Sequence, residues 1–250
     1  MLRDQRHDEL IRALTQHGAM AIKDVAAVLG VSEATARRDI GLLADDGRLT
    51  RVYGGAAIKA PNEVPFAYAE YTDHGEKQLM AQAASDLVSD GDTLILDIGT
   101  TMLEVARALS GRPVTIITSN MAVYEILKQD SKTELLFLGG LLRRNYHSTV
   151  GFLTENALRQ VHADLAFLGT SGVTRRGQVV DTTPVEVSIK QQMLLAADRA
   201  VLVATARKFP GRGHGVVCEA ERISTLVTST ETDQAYFEPF ADSGTEVITA

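Results

Sequence analysis

Apolar side chains in the first sixty residues recur every three to four positions, which is the spacing of amphipathic helices. Three successive segments follow this pattern. The first is predicted to be a helix from about residue 3 to residue 17. The second ends at Gly30, a residue that tolerates a positive φ, and the third begins at Ser32, a good N-cap. The apolar positions that define the three helices are Leu10, Ile11, Leu14, Ile22, Val25, Ala26, Leu29, Ala36, Ile40 and Leu43.

A pair of short strands is predicted behind the third helix. Residues 49–53 read Leu-Thr-Arg-Val-Tyr and favour a strand, Gly54 and Gly55 favour a tight turn, and residues 56–58 favour a returning strand. A helix, a glycine turn and a Ser-capped helix make up the helix-turn-helix layout, and a strand pair after it forms a wing. We therefore predict a winged helix-turn-helix domain over residues 1–58.

Beyond the first domain, short apolar segments alternate with segments of helical period. This alternation predicts a parallel α/β sheet that is covered by helices on both faces. Residues 59–75 contain two prolines and little periodicity and are predicted to be a linker, which leaves residues 76–250 as the second domain. Strands are predicted at 93–97, 113–118, 133–138, 164–168, 200–204, 223–227 and 245–249, and helices at 76–89, 101–110, 121–129, 153–161 and 185–197.

Charge is divided unevenly between the two predicted domains, although the chain as a whole carries −7. Residues 1–60 hold nine Lys and Arg against eight Asp and Glu, and the remainder holds sixteen against twenty-four. A neutral-to-basic head on an acidic body favours a head that binds nucleic acid. The single Cys218 excludes an internal disulfide, and no apolar run is long enough for a membrane span or a signal peptide, so we expect a cytoplasmic protein.

The third helix is the candidate DNA-reading element. Arg37 and Arg38 lie beside or opposite its apolar stripe, where a guanidinium can bond a guanine edge or grip a phosphate. A solvated basic face on an ordinary helical domain is the alternative. From the wing, Arg51 and Tyr53 can reach the DNA backbone. The predicted partner is double-stranded operator DNA, and the predicted contacts are Ser32, Glu33, Ala34, Thr35, Arg37, Arg38, Arg51 and Tyr53.

Polar residues follow several strands of the predicted sheet where each strand ends, and parallel sheets bind ligands beyond these ends. Gly99 lets the backbone approach a ligand closely. Thr100 and Thr101 place hydroxyl and N–H groups at a helix N-terminus, which favours an anion such as phosphate. For any single loop, routine N-capping is the alternative. The strand-end loops are Asp97 to Thr101, Thr118-Ser119-Asn120, Gly139-Gly140, Gly169 to Gly172, and Thr205 to Lys208.

Motifs in both halves point to one family. The run from Val31 to Ile40 contains Thr-x-Arg-Arg-Asp, and Gly-Gly-Ala follows at Gly54 to Ala56. The second half carries, in the expected order, Glu76-Lys77, Asp97-x-Gly99-Thr100-Thr101, Thr118-x-Asn120, Gly139-Gly140, Gly151, Gly169-x-x-Gly172, Glu186, Lys190 and Lys208-Phe209. Residues 1–58 and about 76–230 thus resemble the DeoR/GlpR family of bacterial transcription regulators.

The resemblance implies a sensor domain that is similar to ribose-5-phosphate isomerase. It also implies a repressor of sugar or carbohydrate catabolism genes that a phosphorylated sugar or related metabolite releases from its operator. Phosphate binding would fall at Gly99 to Thr101 and at Ser119-Asn120, with Lys190 and Lys208 nearby. The full set of effector residues expected is Asp97, Gly99, Thr100, Thr101, Thr118, Ser119, Asn120, Gly139, Gly140, Glu186, Lys190 and Lys208.

Two positions depart from the family pattern. Thr205 stands where the family usually has an Asp, and Ala69 stands where it often has an Arg. Any contact made by the missing carboxylate or guanidinium is therefore lost in this chain, which leaves the identity of the effector open. Because helix-turn-helix proteins usually pair to read two half-sites, a homo-oligomer, either a dimer or a tetramer, is expected.

An enzyme is the alternative function, namely a sugar-phosphate isomerase with an accessory nucleic-acid-binding head. Its proton transfer needs a positioned carboxylate base. Thr170 and Ser171 stand where those isomerases have acidic residues, and Asp97 is better explained as ordering its own loop. We therefore expect no catalytic residues. The chain also lacks a Walker A motif, a full Gly-x-Gly-x-x-Gly and metal-ligand spacing, so no cofactor and no metal are expected.

Overall fold

The computed structural model describes residues 3–17, 19–46, 48–52, 54–57 and 66–250 of the chain. The chain divides into two compact units, Met1–Thr72 and Asp73–Ala250. Within the described ranges, no helix is both long enough and apolar enough to cross a bilayer. The elements of the N-terminal unit are α1 (Arg3–His17), β1 (Ala19–Ala21), α2 (Ile22–Leu29), α3 (Glu33–Asp45), β2 (Thr50–Val52), β3 (Gly55–Ala57) and α4 (Phe66–Ala69).

Gly30 and Ser32 set the turn between α2 and α3. Gly30 adopts a left-handed backbone with a φ of 63°, and the N–H of Val31 donates to the carbonyl of Ala26 at 3.0 Å, which closes the end of α2. The Ser32 hydroxyl accepts a hydrogen bond from the N–H of Thr35 at 3.3 Å and so caps α3. These contacts confirm the predicted helix-turn-helix.

The predicted apolar stripes form the core of the N-terminal unit. Side chains from all three helices meet those of the small sheet and of α4. Each fully buried Leu or Ile side chain contributes roughly 1.5–3 kcal/mol of transfer free energy to the fold. The buried members are Leu10, Ile11, Leu14, Val25, Ala26, Leu29, Ala36, Ile40, Leu43, Leu49, Ala56 and Tyr68.

The wing has three strands instead of the two predicted. β3 lies between β1 and β2 and pairs antiparallel with both. A strand of three residues is too short for alternation to reveal it, which explains why β1 was missed. Gly55 is required in β3, because a Cβ there would lie 2.1 Å from the carbonyl oxygen of Met20 on β1. Tyr53 and Ile58, the ends of the two predicted strands, lie outside the described residues.

The predicted linker includes a helix. Within α4, Phe66 and Tyr68 are buried, and the Tyr68 hydroxyl accepts a hydrogen bond from Arg48 Nε at 2.9 Å. Two aromatic side chains in four residues provide enough apolar surface to order a segment that shows no periodicity. The compact unit therefore extends to Thr72, past the predicted boundary at residue 58. Residues 58–65 lie outside the described residues.

The second unit contains the remaining elements. In chain order these are α5 (His74–Ser85), β4 (Thr93–Leu96), α6 (Thr100–Leu109), β5 (Thr115–Thr118), α7 (Met121–Leu127), β6 (Glu134–Phe137), β7 (Leu141–Arg143), β8 (Ser148–Val150), α8 (Phe152–Leu158), β9 (Ala163–Leu168), β10 (Gly172–Val173), β11 (Val179–Asp181), α9 (Pro184–Leu195), β12 (Ala197–Ala204), β13 (Gly215–Cys218), β14 (Thr225–Thr228), α10 (Glu238–Asp242) and β15 (Glu246–Thr249). Short 3-10 turns cover Arg144–Tyr146, Ala206–Lys208, Ala220–Arg222 and Gln234–Tyr236.

Seven parallel strands form the central sheet of this unit, in the order β15-β14-β12-β9-β4-β5-β6. One face packs against α5, α6 and α7 and the other against α8, α9 and α10, each through its own apolar cluster. Each of the seven predicted strands corresponds to one of these strands. The structure therefore confirms the parallel α/β architecture.

The strand order reverses between β4 and β9, because the chain builds β5 and β6 on one side of β4 and then crosses to the other side. In open α/β sheets such a reversal leaves a crevice beyond the carboxyl ends of the strands, where ligands bind. Asp97 follows β4 directly, and Gly169 follows β9. These two residues mark the place of the candidate ligand site.

Two further sheets were not predicted. β10, β11 and β13 form an antiparallel sheet, and β7 and β8 form a hairpin. With two to four residues each, these strands show no alternation that could be read from sequence. Glycines serve close packing between these segments: a Cβ at Gly213 would lie 2.7 Å from the backbone nitrogen of Asp181 on β11.

Candidate functional site

The polar face of α3 is exposed as predicted. Glu33, Ala34 and Arg37 are open to solvent, and Arg37 pairs only loosely with Glu33 at 3.5 Å. Arg38 is also exposed and makes no ion pair with any described residue. An exposed guanidinium without an internal partner can bind an external acceptor without first breaking a contact. Ser32 and Thr35 are instead occupied in the N-terminal cap, with their hydroxyl oxygens 3.0 Å apart.

Arg51 lies against α3, the candidate DNA-reading helix. Its Nη2 donates to the carbonyl of Gly41 at 3.2 Å and pairs with Asp45 at 3.3 Å, and the side chain remains mostly exposed. A Cβ at Gly41 would lie 3.1 Å from the same guanidinium, so the glycine leaves room for it. Arg51 can therefore bind DNA only by exchanging two weak contacts. Tyr53, the other wing residue predicted to bind DNA, lies outside the described residues.

Asp39 is a residue whose role the sequence reasoning missed. It is buried at 2 % exposure on the apolar side of α3. Its carboxylate accepts hydrogen bonds from Arg6 Nε at 2.5 Å and Nη2 at 3.0 Å, and it lies 3.1 Å from His7 Nε2. The Arg6 hydrogen bonds hold the pKa of Asp39 below its usual range. These contacts fix α3 against α1, and so determine which side chains α3 presents.

In the second unit, Lys190 of α9 joins the two strand ends at the crevice. Its ammonium donates to Asp97 Oδ2 and to the carbonyl of Gly169, the latter at 2.9 Å. Asp97 Oδ2 also accepts the N–H of Gly169 at 2.9 Å. Both charged groups are buried. Asp97 and Lys190, two of the residues in the expected effector set, thus form a buried ion pair, and Asp97 orders the loop after β9 as well as its own.

Three carboxylates surround Lys190. Besides Asp97, Asp181 Oδ2 lies 3.7 Å away, and Glu186 is within electrostatic reach. Burial disfavours the charge of Lys190, but the carboxylates outweigh it and raise the lysine pKa. Burial likewise raises the pKa of Glu186 to about 7, although Glu186 also accepts a hydrogen bond from Arg143 of the β7–β8 hairpin. Sequence reasoning identified neither Asp181 nor Arg143.

A second cluster, of cations, lies at the start of α6. We call Lys77, Arg207 and Lys208 the cation cluster. The ammonium of Lys77 donates to Thr100 Oγ1 at 2.8 Å, which places it at the first turn of α6. Burial, together with like-charge repulsion from Arg207, lowers the pKa of Lys77 and of Lys208 to about 8 each. The ammonium group of Lys208 makes no hydrogen bond or ion pair with any described residue. Positive charges crowded at a helix N-terminus are suited to an anion.

The predicted loop at the start of α6 has the geometry for close approach. Gly99 adopts a φ of 96°, which L side chains rarely accept, and nothing lies within 4 Å of where its Cβ would be. Thr100 is buried and bonded to Lys77, while Thr101 is partly exposed. Open space in front of Gly99, flanked by N–H groups and hydroxyls, is consistent with an oxyanion position.

Other predicted effector residues are used inside the protein. The Asn120 amide donates to the carbonyl of Gly99 at 3.1 Å, and its oxygen caps α7 through the N–H of Ala122 at 3.0 Å. The Thr118 hydroxyl donates to the carbonyl of Leu96 at 2.7 Å. These groups hold neighbouring loops in register and leave no side-chain donor for a ligand. Their role is to position the loop at Gly99.

Gly139 and Gly140 also differ from expectation. Gly139 is exposed and its carbonyl accepts a hydrogen bond from Thr154 Oγ1 at 2.8 Å. A Cβ at Gly140 would lie 2.2 Å from the same hydroxyl and 2.7 Å from the carbonyl oxygen of Val150. Glycine is needed at 140 for packing against α8 and β8, which accounts for this residue without a ligand.

Several buried polar atoms at the strand ends make no hydrogen bond within the described part of the chain. Most buried polar atoms in proteins are paired, so an unpaired one indicates a missing partner such as a ligand or water. Thr205, which stands in place of the family's Asp, is among them. The unpaired atoms here are Asp97 Oδ1, Ser119 Oγ, Ser148 Oγ, Glu186 Oε2 and Thr205 Oγ1.

Taken together, the candidate site combines a group of cations with buried oxygens that lack hydrogen-bond partners among the described residues. The cation cluster can neutralise a phosphate, and the unpaired carboxylate oxygens of Asp97 and Glu186 can accept hydrogen bonds from hydroxyl groups. In the described ranges, no group of three or more His, Cys, Asp and Glu side chains is arranged to hold a metal ion.

In comparisons with known proteins, both halves of the chain match domains of the same family. Residues 6–62 match the DeoR-like helix-turn-helix domain, and residues 72–230 match the DeoR C terminal sensor domain. The chain is 30% identical to the HTH-type transcriptional repressor CsqR of Escherichia coli strain K12, over 97% of this chain and 94% of that protein. It is 28% identical to the HTH-type transcriptional regulator UlaR of Shigella flexneri serotype 5b, over 99% of each. Ribose 5 phosphate isomerase A from Neisseria gonorrhoeae aligns with a TM-score of 0.39 at 16% identity, over 53% of this chain and 52% of that chain.

Proposed function

Since the chain belongs to the DeoR family of transcriptional regulators, we propose that it represses sugar-catabolism genes and that a phosphorylated sugar releases it from operator DNA. Family membership makes it a DNA-binding regulator with a small-molecule sensor domain, and not an isomerase. The operator and the phosphorylated effector are the parts proposed here.

The cation cluster carries this proposal. Lys77 and Lys208 are held in a protein interior where their charges are disfavoured and where Arg207 repels them. Nearby carboxylates offset this cost only in part, because the pKa values of both lysines remain lowered, and a bound anion would offset more of it. A phosphate monoester at the N-terminus of α6 would supply two negative charges to three cations and to the helix dipole.

The rest of the effector is assigned from the unpaired acceptors. Asp97 Oδ1 and Glu186 Oε2 are buried carboxyl oxygens that have no hydrogen-bond partner among the described residues. Sugar hydroxyls are donors, and a purely apolar ligand would leave both oxygens unsatisfied. A polyhydroxylated phosphate ester therefore matches both ends of the crevice.

We propose further that the two compact units act as separate DNA-binding and sensor domains. A fragment of residues 73–250 should then remain folded, bind the phosphate ester and fail to bind DNA. A fragment that unfolds would contradict the division.

We also propose that the protein binds DNA as a homo-oligomer, since helix-turn-helix proteins usually read two half-sites as a pair. Light scattering of the full chain should give the mass of a dimer or a tetramer.

A thermal-shift screen tests the proposed effector class. Matched pairs of phosphorylated and unphosphorylated sugars are added to the full chain and to Lys208→Gln. A ligand that binds the native state at a hundred times its Kd stabilises it by about 2.7 kcal/mol. We expect stabilisation of the parent by one or more phosphate esters, none by the matched free sugars, and a reduced shift in Lys208→Gln. Equal shifts from esters and free sugars would contradict the assignment. Lys132→Gln, an exposed lysine on the same unit, is the control.

A further inference from the structure

Asp73 has an unusual conformation for its position. It precedes α5 as the N-cap residue, yet its backbone is left-handed, with φ 54° and ψ 34°, and its side chain makes no capping hydrogen bond. A left-handed backbone is uncommon for a residue with a Cβ, although Asp adopts it more readily than most, and an N-cap Asp normally satisfies a free N–H of the first turn. The carboxylate of Asp73 is therefore available for a contact outside α5.

The Asp73 carboxylate contacts the cation cluster. Asp73 Oδ2 lies 3.3 Å from Arg207 Nε. Lys77 is one helical turn further along α5, and its N–H donates to the carbonyl of Asp73 at 3.0 Å, so both residues lie on the same side of the helix. Asp73 also acts electrostatically on Lys208. One carboxylate thus faces all three cations.

Neighbouring acids are occupied elsewhere. Glu76 Oε1 accepts the N–H of Ala206 at 2.7 Å. Glu104 lies 3.4 Å from Arg107 and 3.8 Å from His74. Asp73 is therefore the carboxylate that an incoming phosphate would meet at Arg207, and two anions of like charge cannot share that guanidinium without repulsion.

Asp73 also stands at the joint of the chain. The first compact unit ends at Thr72, whose hydroxyl donates to the carbonyl of Tyr68 at 3.1 Å. Tyr71 is held to the first unit by Arg12, whose guanidinium lies 4.7 Å from the ring centroid. One residue thus separates a side chain anchored in the DNA-binding unit from the carboxylate at the cation cluster. A backbone change at Asp73 would therefore begin at the residue that directly follows the DNA-binding unit.

We propose that Asp73 is an internal counter-ion of the cation cluster, that a bound phosphate displaces it from Arg207, and that its release carries the effector signal to the DNA-binding unit. This inference rests on the proposed function, because it needs phosphate to bind at the cation cluster. Coupling then follows from competition: a phosphate bound at Arg207 excludes the Asp73 conformation that pairs with Arg207, and in this proposal the paired conformation is the one that binds DNA.

The test uses the full chain and its variants Asp73→Asn, Arg207→Gln and Asp242→Asn, the last an exposed carboxylate on α10. Calorimetry at pH 7.5 measures the Kd for inorganic phosphate. Fluorescence anisotropy measures the Kd for an operator that the parent selects from a random duplex library. Melting temperatures show whether each variant is folded.

Asp73→Asn removes a like charge beside the anion, so we expect it to bind phosphate about five- to tenfold more tightly than Asp242→Asn. Without phosphate it should bind the operator at least about fivefold more weakly, because the signal is already released. Arg207→Gln removes the ion-pair partner of Asp73. This variant should therefore lose operator affinity without gaining phosphate affinity.

Failures of the two proposals give different results. Absence of phosphate binding in the parent and in Asp73→Asn overturns the proposed function and this inference with it. Phosphate binding in the parent, with phosphate and operator affinities of Asp73→Asn equal to those of Asp242→Asn, overturns this inference alone. A folded Arg207→Gln that binds the operator like the parent also overturns it.

Discussion

Asp39 lies on the buried side of α3, where Arg6 holds the pKa of its carboxyl below the usual range. The folded-state pKa is thus lower than the unfolded one, about 4. The stabilisation is fully present above that value and is lost as the pH falls through it toward the folded-state pKa. The N-terminal unit should therefore lose stability in mild acid.

Asp39→Asn tests this contribution. We expect the melting transition of the N-terminal unit to drop by roughly 5–10 °C at pH 6, from the loss of charged hydrogen bonds in a small unit. Between pH 5 and pH 3 it should also depend less on pH than the parent does. Scanning calorimetry of the full chain measures both. Asp24→Asn, an exposed carboxylate on α2, should behave like the parent, and a parental pH dependence in Asp39→Asn would show that Asp39 is not the group responsible.

Lys77 and Lys208 predict an alkaline limit to effector binding. Their pKa values are lowered to about 8, so both ammonium groups lose protons as the pH rises through that value. A phosphate monoester stays dianionic over this range, because its second pKa is about 6. The ester should therefore bind progressively more weakly above about pH 8.

Lys208→Arg separates this effect from general alkaline loss, because arginine keeps its charge. Calorimetric titration between pH 7 and pH 9.5, with the ester found by the thermal-shift screen, should show the parent losing up to about tenfold in affinity per pH unit for each proton lost. The variant should retain more of its affinity at pH 9.5. Identical pH profiles for the two proteins would exclude Lys208 from the site.

Single residues also show what sequence reasoning can reach. Lys77 lies in a helical stripe with Met80, Ala81 and Ala84, and Asp39 lies in the stripe of α3; a charge in an apolar stripe was a readable signal that went unused. Asn120 shows the limit. A strand-end Asn that caps a helix and one that binds a ligand have the same local sequence, so only the three-dimensional contacts distinguish them.

At the scale of elements, α3 and the wing strand β2 each carry an arginine that is predicted to bind DNA in a different way. Arg38 projects from α3 with no ion pair among the described residues, whereas Arg51 rests on Asp45 and Gly41. If Arg38 reads a base, Arg38→Ala should cost about 1–3 kcal/mol of binding free energy and relax specificity at that base pair.

Arg51→Ala should weaken binding to all sequences alike and flatten the salt dependence. Anisotropy on the selected operator and on its single-base variants, at several salt concentrations, measures both. Parental affinity in both variants would remove α3 and the wing from the interface.

Element length explains which parts of the fold were predictable. Each strand of the central sheet contains at least two consecutive apolar residues, such as residues 94–96 of β4, and the strands alternate with helices of clear period. The β7–β8 hairpin, which brings Arg143 to Glu186, is three residues per strand and is held by contacts made far away in sequence. No local pattern records such contacts, so the hairpin's part in the site could not be anticipated.

At the scale of the whole molecule, the change of period predicts a head and a body but does not fix the position of the boundary between them. The predicted boundary at residue 58 followed periodicity, while the structure continues the first unit to Thr72 through two buried aromatic residues of α4. The architecture and the crevice at the reversal of strand order follow from alternating strands and helices. The cation cluster does not, because Lys77 and Lys208 are 131 positions apart in the chain.

Release of operator DNA by a phosphate ester tests the central claim most directly. Anisotropy with the selected operator is recorded for the parent, Lys208→Gln and Lys132→Gln, with the ester and with its dephosphorylated form. The ester should weaken operator binding by the parent about tenfold or more, within the usual range of allosteric coupling, and the dephosphorylated sugar should have no effect. Lys208→Gln should bind the operator like the parent but need at least about tenfold more ester, while Lys132→Gln should match the parent throughout. Equal release by both forms of the sugar, or a parental response in Lys208→Gln, would contradict the account.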